Sequence, residues 1–426
     1  MFKNIRSKIL QFSLLIAGLS ASSSGFAVTP TAEDLVASGQ IIQVSPQIYM
    51  TPGYSNTMMI ITTEGVVIID TSSADQAQMH YDLLKAVSSD PVRYIILTHG
   101  HGDHRGGISL WREEGTQLVA QANYSEFLHY SKRLNGFFAE RNKAQAGVTT
   151  PLPAGFDPNP GNYAATIDAN IMFEDFYSFS LGGLTFELHH TPGETYDQSS
   201  VWIPELKAAF VGDNFYNSFP NMYTLRGTKP RWALDYVTSL EKIMAWQPEL
   251  VIPSHGDTVV GSAQIQFELS RYRDSILYVH DAVVAGMNAG KNVYTLMQEI
   301  KLPADLDVGE SYGRVTWSIR GIYEGYAGWF DGNPSNMYAL PPWAADSDLV
   351  AIAGVAAVID RAKARLRAGE ILMALRLADA VLHAAPNNVS AWGVRLTALK
   401  ILYAKSTNSN ERSWLKYGIN EASTHL

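Results

Sequence analysis

The chain has 426 residues, 46% of them hydrophobic and 17% charged, with 33 Gly, 19 Pro and no Cys. This is too apolar for a disordered chain and long enough for two or three domains, and the missing cysteines exclude disulfides, thiol catalysis, thiolate zinc sites and iron–sulfur clusters. A formal charge of −9 argues against a protein built to bind nucleic acid or anionic membranes, so an anionic ligand requires a local cation.

Lys3, Arg6 and Lys8 precede an apolar run over residues 9–19 and a small-residue stretch ending Gly25-Phe26-Ala27. This pattern predicts a secretory signal peptide over residues 1–27, with an uncleaved anchor as the alternative. The run is shorter than the roughly 20 residues a bilayer span needs. Cleavage takes the charge to −12 and predicts a soluble exported protein, most simply periplasmic, with no membrane attachment afterwards. Strand-type runs follow at 56–63, 66–70, 92–98, 184–190 and 208–212, several ending directly in polar residues. Residues 150–164, rich in Pro, Gly and Asn, read as a surface loop. Beyond residue 263 the spacing becomes helical, at 267–289, 349–368, 371–385 and 389–403. Segments 369–385 and 388–404, with Pro386 between them, resemble one tetratricopeptide-type helix pair.

The chemistry concentrates where the strand Tyr94-Ile95-Ile96-Leu97-Thr98 runs into His99-Gly100-His101-Gly102-Asp103-His104. In extended chain His99 and His101 point the same way and can share one metal; Asp103 and His104, at the turn into a helix, can face a second. Imidazoles and a carboxylate suit zinc, which brings the pKa of bound water to about 7. Gly100 and Gly102 permit the tight backbone. Four ligand-type residues in six positions are poorly explained as an incidental His-rich loop. His189 and His190 end a strand on opposite faces, so at most one looks toward such a site, with His190 the better placed. His80, His129, His280, His383 and His425 lack ligand-type neighbours in sequence and read as ordinary helix or terminal residues.

The string His-x-His-x-Asp-His resembles the signature of the metallo-β-lactamase fold. That resemblance implies a four-layered αββα sandwich with a binuclear metal site at one edge of its two sheets. Thr191-Pro192-Gly193-Glu194-Thr195 is similar to the Pro-Gly-His-Thr segment of the superfamily, with Glu194 where a ligand His usually stands. Gly212-Asp213 resembles the segment of the bridging carboxylate, and Pro253-Ser254-His255-Gly256 that of the last His. Asn221-Met222-Tyr223-Thr224-Leu225-Arg226-Gly227 looks like the Tyr-Thr-Leu-Arg-Gly segment of the alkylsulfatases within this superfamily. In the helical half, Arg271-Tyr272-Arg273-Asp274 with His280-Asp281, and Gly328 through Pro334, resemble the alkylsulfatase dimerisation domain, which implies a homodimer. Two departures stand out: no Ala-Pro follows Glu194, and Asp213 is one methylene shorter than the family's bridging Glu.

The resulting expectation is an α+β chain: a signal peptide (1–27), a sandwich domain (28–264) and an all-α helical domain (265–426). The resemblance implies two zinc ions per subunit. His99, His101 and Glu194 would hold one, with His190 as the alternative to Glu194; Asp103, His104 and His255 would hold the other, and Asp213 would bridge. Asp103 and Arg226 are the expected catalytic groups, and Arg226 with Tyr223 the expected substrate contacts. A sulfate monoester offers acceptor oxygens that the planar fork of Arg matches. Lys229 and Arg231 nearby read equally as further cations or as solvated loop charges. The implied reaction is hydrolysis of a small anionic alkyl sulfate to alcohol and inorganic sulfate by metal-bound hydroxide. The alternatives are another hydrolase of the superfamily (thioesterase, lactonase or β-lactamase) and, more remotely, a non-enzymatic partner-binding protein. Absence of Cys disfavours the β-lactamase subclasses whose second metal takes a thiolate.

Overall fold

The computed structural model describes residues 31–161 and 165–426. The expected signal peptide lies outside the described residues, as do positions 162–164 of the expected loop.

Thirteen strands form two sheets among the described residues. The first runs in spatial order β1 (Ile42–Gln43), β2 (Ile48–Thr51), β3 (Thr57–Thr62), β4 (Gly65–Ile69), β5 (Val92–Ile96), β6 (Gln117–Gln121) and β7 (Ile171–Phe173), antiparallel up to β4 and parallel from there. The second contains β8 (Phe176–Leu181), β9 (Leu184–His190), β10 (Ser199–Ile203), β11 (Ala208–Gly212), β12 (Leu250–Pro253) and β13 (Val259–Val260) in chain order. It is antiparallel except for the β11–β12 pair. Each strand expected from the sequence is present within two residues of its predicted ends.

Helices α1 (Ala32–Ala37), α2 (Ala77–Val87), α3 (Gly102–Arg105), α4 (Ile108–Trp111), α5 (Tyr124–Arg133) and α6 (Asn135–Gln145) precede the second sheet, and α7 (Ala233–Ala245) interrupts it. The two-residue period of the strands sorts their side chains into layers. Ile48, Met58, Ile60, Val67, Ile69 and Ile96 meet Phe186, Leu188, Val201, Phe210 and Ile252 of the facing sheet. Their neighbours Met59, Val66, Ile68, Ile95 and Leu97 point outward onto Leu84 of α2, Trp111 of α4 and Tyr124 and Leu128 of α5. On the far side Trp202, Ala209, Val211 and Val251 pack on Tyr236, Leu240 and Ile243 of α7. The layers are therefore helix, sheet, sheet, helix. Strand β4 reads as an unbroken apolar run because helices cover one face and the second sheet the other; each buried Ile or Leu contributes roughly 1.5–3 kcal/mol.

The helical half comprises α8 (Ser262–Asn288), α9 (Val293–Glu299), α10 (Val315–Ala327), α11 (Asp346–Ala353), α12 (Val355–Arg367), α13 (Ile371–Ala384), α14 (Val389–Lys405) and α15 (Ser409–Ser423). The core beneath α7 continues without a break into Ile265, Leu269 and Ile276 of α8, Leu296 of α9 and Ile319 and Ile322 of α10. Smaller clusters hold α11 to α14 together, around Ile359 and Val381 and around Ala374 and Val394. The single helix expected over 349–368 is two. Gly354 between them has φ +84°, a left-handed conformation that ends α11 and starts α12.

Parallel pairing decides where the polar strand ends collect. β4 and β5 run side by side, as do β11 and β12, and the next residues along the chain gather at one edge of the sandwich. Backbone bonds cross between the sheets there, from Ser199 N to the Thr98 carbonyl at 2.8 Å and from Asn56 N to the Ser254 carbonyl at 2.7 Å.

His80 of α2 is fully buried against β3, with Nδ1 3.0 Å from Thr57 Oγ1, and burial pushes its pKa down to about 4. A histidine depressed in the folded state destabilises that state as pH falls, because the unfolded chain takes up its proton first. Between pH 6.5 and 4 this costs roughly 3 kcal/mol of unfolding free energy. Urea titrations across that range should show a correspondingly shallower slope for His80→Leu than for the native chain.

Candidate metal centre

Four strand ends and one turn supply the side chains. After β5 the chain passes Thr98 to His99, Gly100 and His101, and His101 sits at the N-cap of α3, which carries Asp103 and His104. Glu194 lies in the β9–β10 connection, where Gly193 leaves no room for a Cβ: one would stand 2.4 Å from Asn214 Oδ1 and 3.0 Å from the Tyr236 ring. Asp213 follows Gly212, whose φ of +56° and a hypothetical Cβ 2.1 Å from Gln198 Nε2 both demand glycine. His255 follows β12.

These seven residues converge. Three sets of ligand atoms lie within 4.8 Å of one another: His99, His104 and Asp213; Asp103, His104 and His255; His101, Glu194 and Asp213. His255 Nε2 is 3.4 Å from Asp103 Oδ2 and 3.3 Å from Asp213 Oδ2. His104 Nε2 is 3.5 Å from carboxylate oxygens of both Asp103 and Asp213. His99 Nε2 lies 3.8 Å from Asp213 and 2.7 Å from His101 Nδ1, which is 3.9 Å from Glu194 Oε1.

Each ring turns one nitrogen inward because the other is occupied. Thr98 Oγ1 stands 3.1 Å from His99 Nδ1, Asp70 Oδ2 2.8 Å from His104 Nδ1, and the Tyr54 carbonyl accepts from His255 Nδ1. Second partners of this kind fix ring orientation and tautomer in metal sites. His104 Nε2 and Asp213 Oδ1 are buried with no hydrogen-bond partner among the described residues. Buried polar atoms are rarely left so, and a cation between them satisfies both. The donor set, all nitrogen and oxygen, fits zinc or a similar divalent ion.

The electrostatics agree. Burial alone would depress His104, but Asp213, Asp103 and Asp70 outweigh it and hold its pKa well above the usual value. Burial likewise opposes the charge on Asp103 and Asp213, yet the surrounding histidines hold both carboxyls well below their ordinary range. His99, buried and beside His104, is driven down to about 3; His101, buried beside His99, also falls well below its usual value. His99 and His101 are thus neutral beside ionised carboxylates, as ligation requires, whereas the same carboxylates favour the protonated forms of His104 and His255, which would give up that proton to a bound cation.

Other expected residues separate clearly. His190 is not brought to the group: its Nε2 lies 2.7 Å from the Tyr196 carbonyl, and Asp175 is its nearest acid. Tyr223 gives its hydroxyl to Glu324 of α10 at 2.6 Å. Arg226 does reach the group, with Nη2 3.1 Å from His101 Nε2. Lys229 lies at the surface, bonded to Glu126 and over the Tyr130 ring. Arg231 is no solvated loop charge. It is 8% exposed, ion-paired to Glu194 Oε1 and bonded to the Asn221 carbonyl, while Tyr236 donates to Glu194 Oε2. Two cavities flank the cluster. One of about 200 Å³ is lined by His101, Arg105, Phe127, Tyr130 and Arg226. The other, of about 250 Å³, is lined by Tyr54, Tyr216, His255 and Tyr312.

Sequence reasoning missed Asp70 and Tyr236, and left Arg231 between a further cation and a solvated loop charge. Asp70 had a signal, a carboxylate ending an apolar strand.

Residues 50–255 match the profile of the metallo-beta-lactamase superfamily. This stretch is a metallo-beta-lactamase superfamily domain. Residues 293–424 match the profile of alkyl sulfatase dimerisation, so this superfamily domain is joined to an alkylsulfatase-type helical domain. Similar curated proteins include a linear primary-alkylsulfatase of Pseudomonas sp. (strain ATCC 19151), 29% identical over 383 residues, covering 84% of this chain and 72% of the relative. An (R)-specific secondary-alkylsulfatase of Pseudomonas sp. is 26% identical over 89% of this chain and 62% of its own length. An alkyl/aryl-sulfatase of Saccharomyces cerevisiae is 24% identical over 88% and 62%. The chain thus spans about three fifths to three quarters of these relatives. The structure of a stereoselective inverting sec-alkylsulfatase from Pseudomonas sp. superposes with a TM-score of 0.81 at 24% identity, over 91% of this chain and 66% of that one. The sandwich with its helical appendage is therefore a shared fold.

Asp70 accepts from Thr98 N at 2.9 Å, Thr98 Oγ1 at 2.9 Å, His104 Nδ1 at 2.8 Å and Ser254 Oγ at 2.7 Å. Asp70→Ala strands these donors, and loss of one partner of a buried pair costs about 3–5 kcal/mol. Guanidinium unfolding of the metal-free variant should register that loss, and divalent-ion titration should show affinity lowered about 10–100-fold.

Proposed function

We propose that the protein hydrolyses alkyl sulfate esters to an alcohol and inorganic sulfate, with two zinc ions in the seven-residue centre. The observation that carries this reading is the guanidinium of Arg226 at the wall of the cluster, 3.1 Å from His101. A chain of negative overall charge needs a cation there to hold an anion. The alkylsulfatase relatives and the dimerisation profile support the same substrate class.

His99, His101 and Glu194 would hold one ion, Asp103, His104 and His255 the other, with Asp213 between. An ion held there would supply a water that ionises near neutral pH and would offset charge on sulfate oxygens. The chain supplies the rest. Arg226 pairs its planar fork with two sulfate oxygens. A His101 ring that gives Nδ1 to a metal carries its proton on Nε2 and stops accepting from Arg226, which turns that donor toward the anion. Arg231 and Tyr236 fix Glu194 from behind. The organic group has room beside Tyr54, Tyr216 and Tyr312.

We also infer export and a homodimer. The residue 1–27 pattern supports export, and no helix among the described residues is long and apolar enough to cross a membrane. The dimerisation profile supports pairing, and Trp329, Tyr338, Leu340 and Trp343, all more than half exposed, offer apolar area for it. Sedimentation at micromolar concentration should give twice the mass of one chain.

Zinc-loaded protein should release inorganic sulfate from a medium-chain alkyl sulfate, with close to two zinc per chain by elemental analysis and no turnover after chelation. Arg226→Ala should lower kcat/KM for sulfate esters about 100-fold while zinc content stays constant. Hydrolysis of lactones, thioesters or β-lactams with no sulfate release at any chain length would replace this reading with another superfamily hydrolase. Turnover in 18O-labelled water, with the label read in sulfate or in alcohol, identifies which bond breaks.

A further inference from the structure

The segment bearing Arg226 leans on α6, and α6 is gripped by the last helix. Arg141 Nη1 donates to the Leu225 carbonyl at 3.2 Å, and Gln145 Nε2 reaches Thr224 Oγ1 at 3.5 Å. From the other side Trp414 Nε1 donates to Gln145 Oε1 at 3.1 Å, while Arg141 lies over the rings of both Phe137 and Trp414. Asn410 is the junction. Its Oδ1 accepts from Gln145 Nε2 at 2.8 Å, and its Nδ2 donates to the Tyr312 carbonyl at 3.0 Å. Asn408, capping α15, donates to the carbonyls of Glu310, Tyr312 and Gly313. Tyr312 lines the aromatic cavity beside His255.

We infer that Asn410 of α15 is a positioning residue: one buried amide sets the Arg226 segment and the Tyr312 segment relative to each other, and so sets how an anionic ester is gripped at both ends. The amide is 5% exposed, so its bonds are shielded from competing water. The two segments line the two cavities beside the metal cluster, and Asn410 reaches one through Gln145 and the other directly. None of these links touches a metal-type ligand, so the arrangement acts on substrate geometry and leaves ion binding alone. The inference rests on the anion-binding reading of Arg226 given above.

Full-length zinc-loaded Asn410→Ala and Trp414→Phe test it. Asn410→Ala should raise KM for the alkyl sulfate and weaken inhibition by inorganic sulfate, each about 5–10-fold, with kcat and zinc content within about twofold. Amide exchange should quicken in residues 221–228 and 310–313 and stay unchanged in 99–104. In an Arg226→Ala background, Asn410→Ala should have no further effect on sulfate inhibition. Trp414→Phe keeps the ring under Arg141 and removes one donor, so it gives the same readouts, smaller, even where Asn410→Ala fails to fold. Native KM and sulfate inhibition in both variants, or a loss of zinc and kcat in step with KM, would overturn the inference. Arg226→Ala alone separates the two readings. If it leaves sulfate inhibition unchanged the anion role of Arg226 falls, whereas a large effect there with silent Asn410 and Trp414 variants removes only the role of α15.

Discussion

Four donors from three parts of the chain meet on one carboxylate, and the centre depends on it. Asp70 ends β4 with φ +56°, turning the chain so that its oxygens face Thr98 at the end of β5, Ser254 at the end of β12 and His104 on α3. Thr98 belongs to one sheet and Ser254 to the other, so the bond set ties the two sheet edges together where the ligands emerge. The same contact fixes the His104 ring, whose inward nitrogen is then left for a cation. A neutral residue at this position could accept fewer of these bonds, and a larger one would part the sheets. Charge and size are both used.

The strands and helices were legible from periodicity, in runs such as Val66 to Ile69 and in the spacing after residue 263, whereas the layered arrangement came from the resemblance that the His-x-His-x-Asp-His string carries. The His99–His104 part of the cluster was legible because four ligand-type residues stand within six positions, while Glu194, Asp213 and His255 were named through the family resemblance. Glu194 was already preferred to His190 in sequence, with His190 kept as the alternative. His190 is the last residue of β9, and the turn at Gly193, closed against Asn214 and Tyr236, brings Glu194 inward instead. Arg231 was opaque for a different reason. A cation in a Gly- and Pro-rich loop reads equally as part of a site or as solvated, and its burial follows from a carboxylate 37 positions earlier, a long-range pairing that no local pattern encodes. Tyr223 failed in the opposite direction: its neighbourhood in sequence promised a substrate contact, but α10 offers it Glu324 instead.

The helical half is less separable than its change of texture suggests. α8 to α10 complete the core under α7, so the outer layer of the sandwich and the start of the helical region are one packing unit. Only α11 to α14 have clusters of their own. α15 then folds back across the chain to meet α6, 265 positions earlier at Gln145 and Asn410. The region that matches the alkyl sulfatase dimerisation profile thus also supports the walls of the candidate centre.

The Asp70–Ser254 bond spans 184 positions, and no complete ligand set exists until that contact closes. Long-range closure of this kind is slow relative to the formation of local helices. A chain still folding therefore offers a metal only the local His99–His104 run. The full cluster appears late, when His255 arrives, and an ion that filled it would be drawn from those around the chain at that moment. The identity of such an ion would record the surroundings in which folding finished.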